Sequence, residues 1–183
     1  MKKLLLPFAL ICVLWVSCNR KNASLESLIM STVSDSLEVC PEALAPEEGV
    51  CASAAICLEI PQKGLRAKAI RNIRKNILSE ALGPEYADLS CTDAVSAYLG
   101  AYAEGYLNDA REIASGVDTD ALLHTLNYSR EISGEVVSLQ DGILAYRISF
   151  YDYAGGTQGS YDEKLLHFLA ADGTLLKMGD EKN

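Results

Sequence analysis

Ile143-Leu144-Ala145-Tyr146-Arg147-Ile148-Ser149-Phe150-Tyr151-Asp152-Tyr153 carries large apolar side chains at every second position, Leu144, Tyr146, Ile148 and Phe150. A period of two over eleven residues is the pattern of a strand with one face on a core. Asp141-Gly142 immediately before it is a two-residue hairpin signal, because both central positions of such a turn need positive φ. Residues 131–139 on the far side of that turn are strand-like, and so are residues 122–128. Downstream, the glycine-rich residues 155–160 lead into a further strand at 161–169, and Asp172-Gly173 turns the chain into 174–178. An antiparallel series of strands is expected over this part of the chain.

Two helices precede it. Over residues 64–82, Ile70, Ile73, Ile77 and Ala81 step by three and four along one face, and Gly83-Pro84 ends the run. Lys63, Arg66, Lys68, Arg71, Arg74 and Lys75 occupy much of the remainder, which reads as solvated charge opposite a buried stripe. A second helix is expected from a Thr92 cap to about residue 113, burying Val95, Tyr98, Tyr102 and Tyr106, with hydroxyls free to reach the rim. Before the helices, residues 51–60 alternate Ile56, Leu58 and Ile60 against Cys57 and Glu59 until Pro61, which should end the strand. Two helices inserted into an otherwise antiparallel strand series give an α+β layer, with both helices packed on one face of the sheet.

The N-terminus reads as an address. Lys2 and Lys3 precede an apolar run over residues 4–16, then Ser17-Cys18, the order of a secretory signal. As a helix the run is about 20 Å long, too short for a hydrocarbon core of about 30 Å. Cys18 after Val16-Ser17 resembles the lipobox of bacterial lipoproteins, in which that thiol is acylated and the chain is cut before it; Trp15 departs from the usual leucine. The expected organisation is a signal peptide over 1–17, a lipidated tether over 18–25 and one α+β domain over 26–183. The membrane contact is then the acyl chains on Cys18, at the bacterial envelope.

The formal net charge is −9, and loss of Lys2 and Lys3 with the leader takes it to −11. Such a charge argues against a nucleic-acid partner and against electrostatic adhesion to anionic lipid. Beyond Cys12 and Cys18, four cysteines remain: Cys40, Cys51, Cys57 and Cys91. In an oxidising compartment they permit two disulfides in three connectivities. Cys40–Cys51 is favoured, because the pair brackets a loop with Pro41, Pro46 and Gly49. A zinc site would show closer cysteine pairs than these spacings provide, so no metal and no cofactor is expected.

No catalytic set is legible. His124 and His167 are the only histidines, and both fall in strand-like segments without a partner motif. There is no nucleophile elbow, no His-Glu-x-x-His and no phosphate loop; Gly155-Gly156-Thr157-Gln158-Gly159 precedes a strand, whereas a phosphate loop opens a helix. Asn22-Ala23-Ser24 and Asn127-Tyr128-Ser129 match glycosylation sequons of low specificity, and Asp35-Ser36-Leu37 resembles a short O-glycosylation motif of some bacterial envelope proteins.

Asp152-Tyr153-Ala154-Gly155-Gly156-Thr157-Gln158-Gly159 resembles the Tyr-Thr-Gly-Gly-Ala-His-Gly motif of an extracytoplasmic domain family. That family accompanies the catalytic domain of PdaC-type peptidoglycan deacetylases and occurs in RsiV-type lysozyme-sensing anti-sigma factors. Residues 82–89 resemble its linker between two helices, and Leu166-His167-Phe168 with Asp172-Gly173-Thr174 its closing hairpin. Thr157-Gln158 stands where the family has Ala-His, and the family pattern continues beyond Asn183. Residues 26–39 fit a helix through Leu28, Ile29, Val33 and Leu37 and a strand through Ile29, Thr32, Val33 and Val39; the resemblance implies the strand.

The resemblance implies a non-catalytic module that binds or senses a cell-wall glycan such as peptidoglycan, or an envelope protein. Tyr153, Gly155, Gly156, Gln158 and Gly159 are its candidate contact residues, the glycines by letting backbone approach a ligand. The same glycines also read as nothing more than a sharp strand connection. The alternative function is a small wall hydrolase or transferase using an Asp/Glu pair that forms only in three dimensions.

Overall fold

The computed structural model describes residues 25–41, 50–115 and 123–177. The expected signal peptide, Cys18, nearly all of the tether and the Asn22 sequon lie outside them. The described residues form one six-stranded sheet whose spatial order follows the chain: β1 (Ile29–Val39), β2 (Ala52–Lys63), β3 (Tyr128–Gln140), β4 (Ile143–Ala154), β5 (Ser160–Leu169) and β6 (Leu175–Leu176). Helices α1 (Ala67–Ala81) and α2 (Cys91–Ala114) connect β2 to β3 and pack on one sheet face. The α+β layer is as the sequence implies, with one amendment. β2 and β3 run parallel, Ala52 opposite Tyr128 through Leu58 opposite Gly134, while the other neighbours are antiparallel. A connection that carries two helices and crosses back over the sheet returns the next strand in the same direction.

Hydrophobic alternation fixes which face is buried. Ala52, Ala54, Ile56, Leu58 and Ile60 of β2 and Leu144, Tyr146 and Ile148 of β4 enter the core with Phe168 of β5. From the helices come Ile73, Ile77 and Leu78 of α1 and Val95 and Leu99 of α2. Ile70 is half-buried rather than part of the buried stripe, and Ala69 takes its place. Arg66, Lys68, Arg71 and Lys75 are exposed. A second cluster joins Tyr106 and Ala110 to Val50, Ala52 and Leu126.

Several boundaries differ from the sequence-based expectation. β2 runs through Pro61 to Lys63, because the ladder with β1 shifts register there, pairing Met30 with Pro61 and Ile29 with Lys63, and the irregularity accommodates the residue without an N–H. The α2 cap is Ser90, not Thr92: the Ser90 hydroxyl accepts from the Asp93 N–H at 3.2 Å and donates to the Asp93 carboxylate at 2.6 Å. Residues 123–126 form a 3₁₀ turn rather than a strand, and β3 starts only at Tyr128. The turn at Asp141 and Gly142 has φ of 51° and 77°, as the hairpin signal requires. Cys40 and Cys51 form a disulfide that ties the end of β1 to the start of β2.

Candidate functional site

With both helices on one side, side chains that alternate away from the core populate a sheet face that no helix covers among the described residues, and register sorts them into cross-strand rows. One row runs Ser36, Ala55, Glu131, Tyr151, Tyr161 from β1 to β5; the next runs Ser34, Cys57, Ser133, Ser149, Glu163. Beyond the first row stand Ser53, Ser129 and Tyr153, where the Ser53 hydroxyl donates to Ser129 at 3.2 Å. Small side chains along β1, β2 and β3 leave a groove of about 510 Å³ between Ser34, Ser36, Ala55, Cys57, Glu131 and Ser133.

At the β4–β5 end the face turns aromatic. The Tyr151 and Tyr161 rings lie 4.6 Å apart between centroids at 40°, and Tyr161 is 82% exposed. Tyr153 is half-buried two residues further along β4 on the same face. Carboxylates dominate the charge: Glu38, Glu59, Glu131, Glu135 and Glu163 share the face with Arg147. Arg147 forms ion pairs with Glu135 and, at 4.0 Å, with Glu163. Those two glutamates are therefore partners of one guanidinium rather than a free pair across a cleft.

On the helix side, Arg130 of β3 donates to the Asp152 carboxylate and, at 2.9 Å, to the Tyr98 hydroxyl of α2, and lies 5.6 Å from the Tyr102 ring centroid. Burial works against its charge, but the hydrogen bonds to Asp152 and Tyr98 outweigh that and hold its pKa above the ordinary arginine value. This cluster anchors α2 to the sheet and leaves its groups engaged with one another.

The structure places the candidate contact residues as follows. Tyr153 ends the aromatic strip, and Gly156 and Gln158 are exposed at the loop tip. Gly155, at φ 70°, is pressed against the Thr125 backbone with no room for a Cβ, and a Cβ on Gly159 would strike the Tyr151 ring. Both glycines therefore make close approaches within the chain itself. Tyr151, Tyr161 and Glu131 were not legible as a group; the alternation of β4 puts Tyr151 and Tyr153 on one face, but their neighbours depend on register. His167 lies on β5 opposite Ala145 and Leu176, with a buried Nδ1 that has no hydrogen-bond partner, and His124 falls in the 3₁₀ turn. Cys57 is an exposed free thiol on the groove floor; Cys91 is half-buried, and that burial raises its pKa despite nearby Arg74.

No protein-family model matches the sequence, and no curated protein matches it. Among solved structures the chain is similar to a member of the DUF3298 family from Bacteroides fragilis, with a TM-score of 0.76 and 19% identity over 87% of this chain and 62% of that one. A DUF3298 family protein from Pseudomonas aeruginosa is also similar, with a TM-score of 0.49 and 14% identity over 84% of this chain and 60% of that one. The chain thus spans less than two thirds of the length of either. The likeness to the Bacteroides protein is one of fold.

Proposed function

We propose that the chain is a lipid-anchored envelope module that binds a cell-wall glycan on its uncovered sheet face without transforming it. The observation that carries the reading is the strip of Tyr151, Tyr153 and Tyr161 beside a groove floored by serine, alanine and cysteine. Tyrosine rings offer flat apolar surface to the faces of sugars, while the serine hydroxyls and Glu131 offer hydrogen-bond partners to sugar hydroxyls. The signal and lipobox pattern ending at Cys18, and the resemblance to a domain that accompanies wall enzymes, support the same reading.

A second reading, an envelope protein as ligand, is favoured by the five glutamates against one arginine, which suit a cationic surface. A hydrolase using an Asp/Glu pair has less support, since Glu135 and Glu163 are joined through Arg147. The test is calorimetric titration of the full chain in detergent with purified peptidoglycan fragments, and separately with lysozyme as a cationic protein probe. Saturable glycan binding without new reducing ends, weakened about tenfold by Tyr151→Ala or Tyr153→Ala, supports the proposal; about 1.4 kcal/mol corresponds to that factor. Binding of lysozyme alone selects the second reading, and turnover of the fragments overturns both.

A further inference from the structure

We propose that Ser36 is a site of O-glycosylation, an inference that rests on the envelope location above and goes beyond the binding reading. Asp35-Ser36 is the single Asp-Ser pair in the chain. The fold puts it in an accessible place: β1 is an edge strand of the sheet, and among the described residues Ser36 is exposed on the face opposite α1 and α2. Its cross-strand neighbour is Ala55, too short to shade the hydroxyl, and the groove of about 510 Å³ begins beside it. The Asp35 carboxylate accepts the Ser36 N–H at 2.8 Å, which holds the acidic side chain against the acceptor residue, where a transferase can read both together.

The other hydroxyls on this face differ. Thr32, Ser34, Ser53, Ser129, Ser133 and Ser149 each follow a residue other than aspartate, and Ser53 and Ser129 are engaged with each other. The Asn127 sequon fits less well, because its hydroxyl residue is Ser129, which already accepts from Ser53.

The reaction requires a glycosyl donor of the phosphate-activated class and a transferase. Ser36 Oγ attacks the anomeric carbon, the bond from that carbon to the phosphate oxygen breaks, the phosphate leaves with the electron pair, and the hydroxyl proton passes to a base of the transferase. One O-glycosidic bond replaces one glycosyl–phosphate bond, with no change of oxidation state. The attached sugar would stand at the β1 end of the row that leads through Ala55 and Glu131 to Tyr151.

The test expresses the full chain in its source bacterium, fractionates the cells and measures the mass of the tryptic peptide 22–63, which contains no internal lysine or arginine. The expected result is an envelope-fraction peptide heavier than its sequence by whole sugar residues, with the addition lost in Ser36→Ala and in Asp35→Ala and retained in Ser34→Ala. Fragmentation places it on Ser36. A peptide of sequence mass from the envelope fraction overturns this inference alone, and so does an addition that survives Ser36→Ala. Recovery of the chain from the cytoplasm overturns it together with the envelope reading.

Discussion

Gly134 on β3 and Tyr146 on β4 are diagonal neighbours, and the Tyr146 phenol with Leu58 fills the space that any Cβ on Gly134 would need. Close approach, not backbone freedom, makes the glycine necessary. Gly134→Ala is expected to destabilise the fold by about 1–3 kcal/mol, the usual cost of overpacking a dense core. Gly100→Ala is the control: a Cβ added there on α2 would meet nothing within 4 Å apart from its chain neighbours and the helix's own backbone, and the better helix former should raise stability by about 0.5–1 kcal/mol. Urea unfolding of both variants checks the pair, and equal stability of Gly134→Ala and the wild type would mean that the phenol can move aside.

The Cys40–Cys51 bond closes the loop between β1 and β2 over a sequence separation of 11. In the chain-entropy account a ring of this size contributes about 3 kcal/mol. Double replacement by serine should lower the thermal midpoint, and adding reductant should lower that of the wild type to match while leaving the serine variant unchanged.

Alkaline stability should depend on Tyr106. Its ring is 2% exposed and packs edge-on against Tyr128 with centroids 5.3 Å apart, its hydroxyl has no hydrogen-bond partner, and burial pushes its pKa up to about 12. The unfolded phenol ionises near 10, so between pH 10 and 12 the unfolded chain loses a proton that the folded one keeps. The stabilisation is complete below pH 10 and is lost as pH rises through that window. Tyr106→Phe should flatten this limb of a stability–pH profile while leaving neutral stability little changed; an unaltered limb would assign it to other groups.

Tyr161 separates binding from folding. At 82% exposure its ring contributes little to the core, so Tyr161→Ala should stay within about 0.5 kcal/mol of the wild type. Retention of the chain on peptidoglycan should nevertheless fall. Unchanged retention would remove the exposed end of the tyrosine strip from the proposed site.

Local signals carried much of this fold. Asp141-Gly142 dictated a hairpin because few other pairs accept two positive φ values, and Leu144, Tyr146 and Ile148 marked the buried face of β4 through alternation alone. Residues 123–126 misled because Leu123 and Leu126 are as compatible with one 3₁₀ turn as with a short strand, and Leu126 enters the core. Pro61 misled because a register shift with β1 is a property of two strands, and one strand's sequence does not contain it. The parallel pairing of β2 with β3 was hidden for the same reason. Of the site, Tyr153 and the glycine loop were visible as a motif. The juxtaposition of Tyr151 with Tyr161, and of Ser36 with Ala55 and Glu131, exists only once five strands are in register.

The parallel seam also sets an order of assembly. β1 with β2, and β3 through β6, can each zip up through turns between residues close in sequence, whereas residues 52–58 meet 128–134 only after the whole helical connection has been drawn back across the sheet. Loop-closure entropy makes such distant pairing slow relative to a hairpin. The groove between β1 and β3 straddles that seam, so a chain in which the two-stranded and four-stranded pieces have not yet joined has no groove floor and no site.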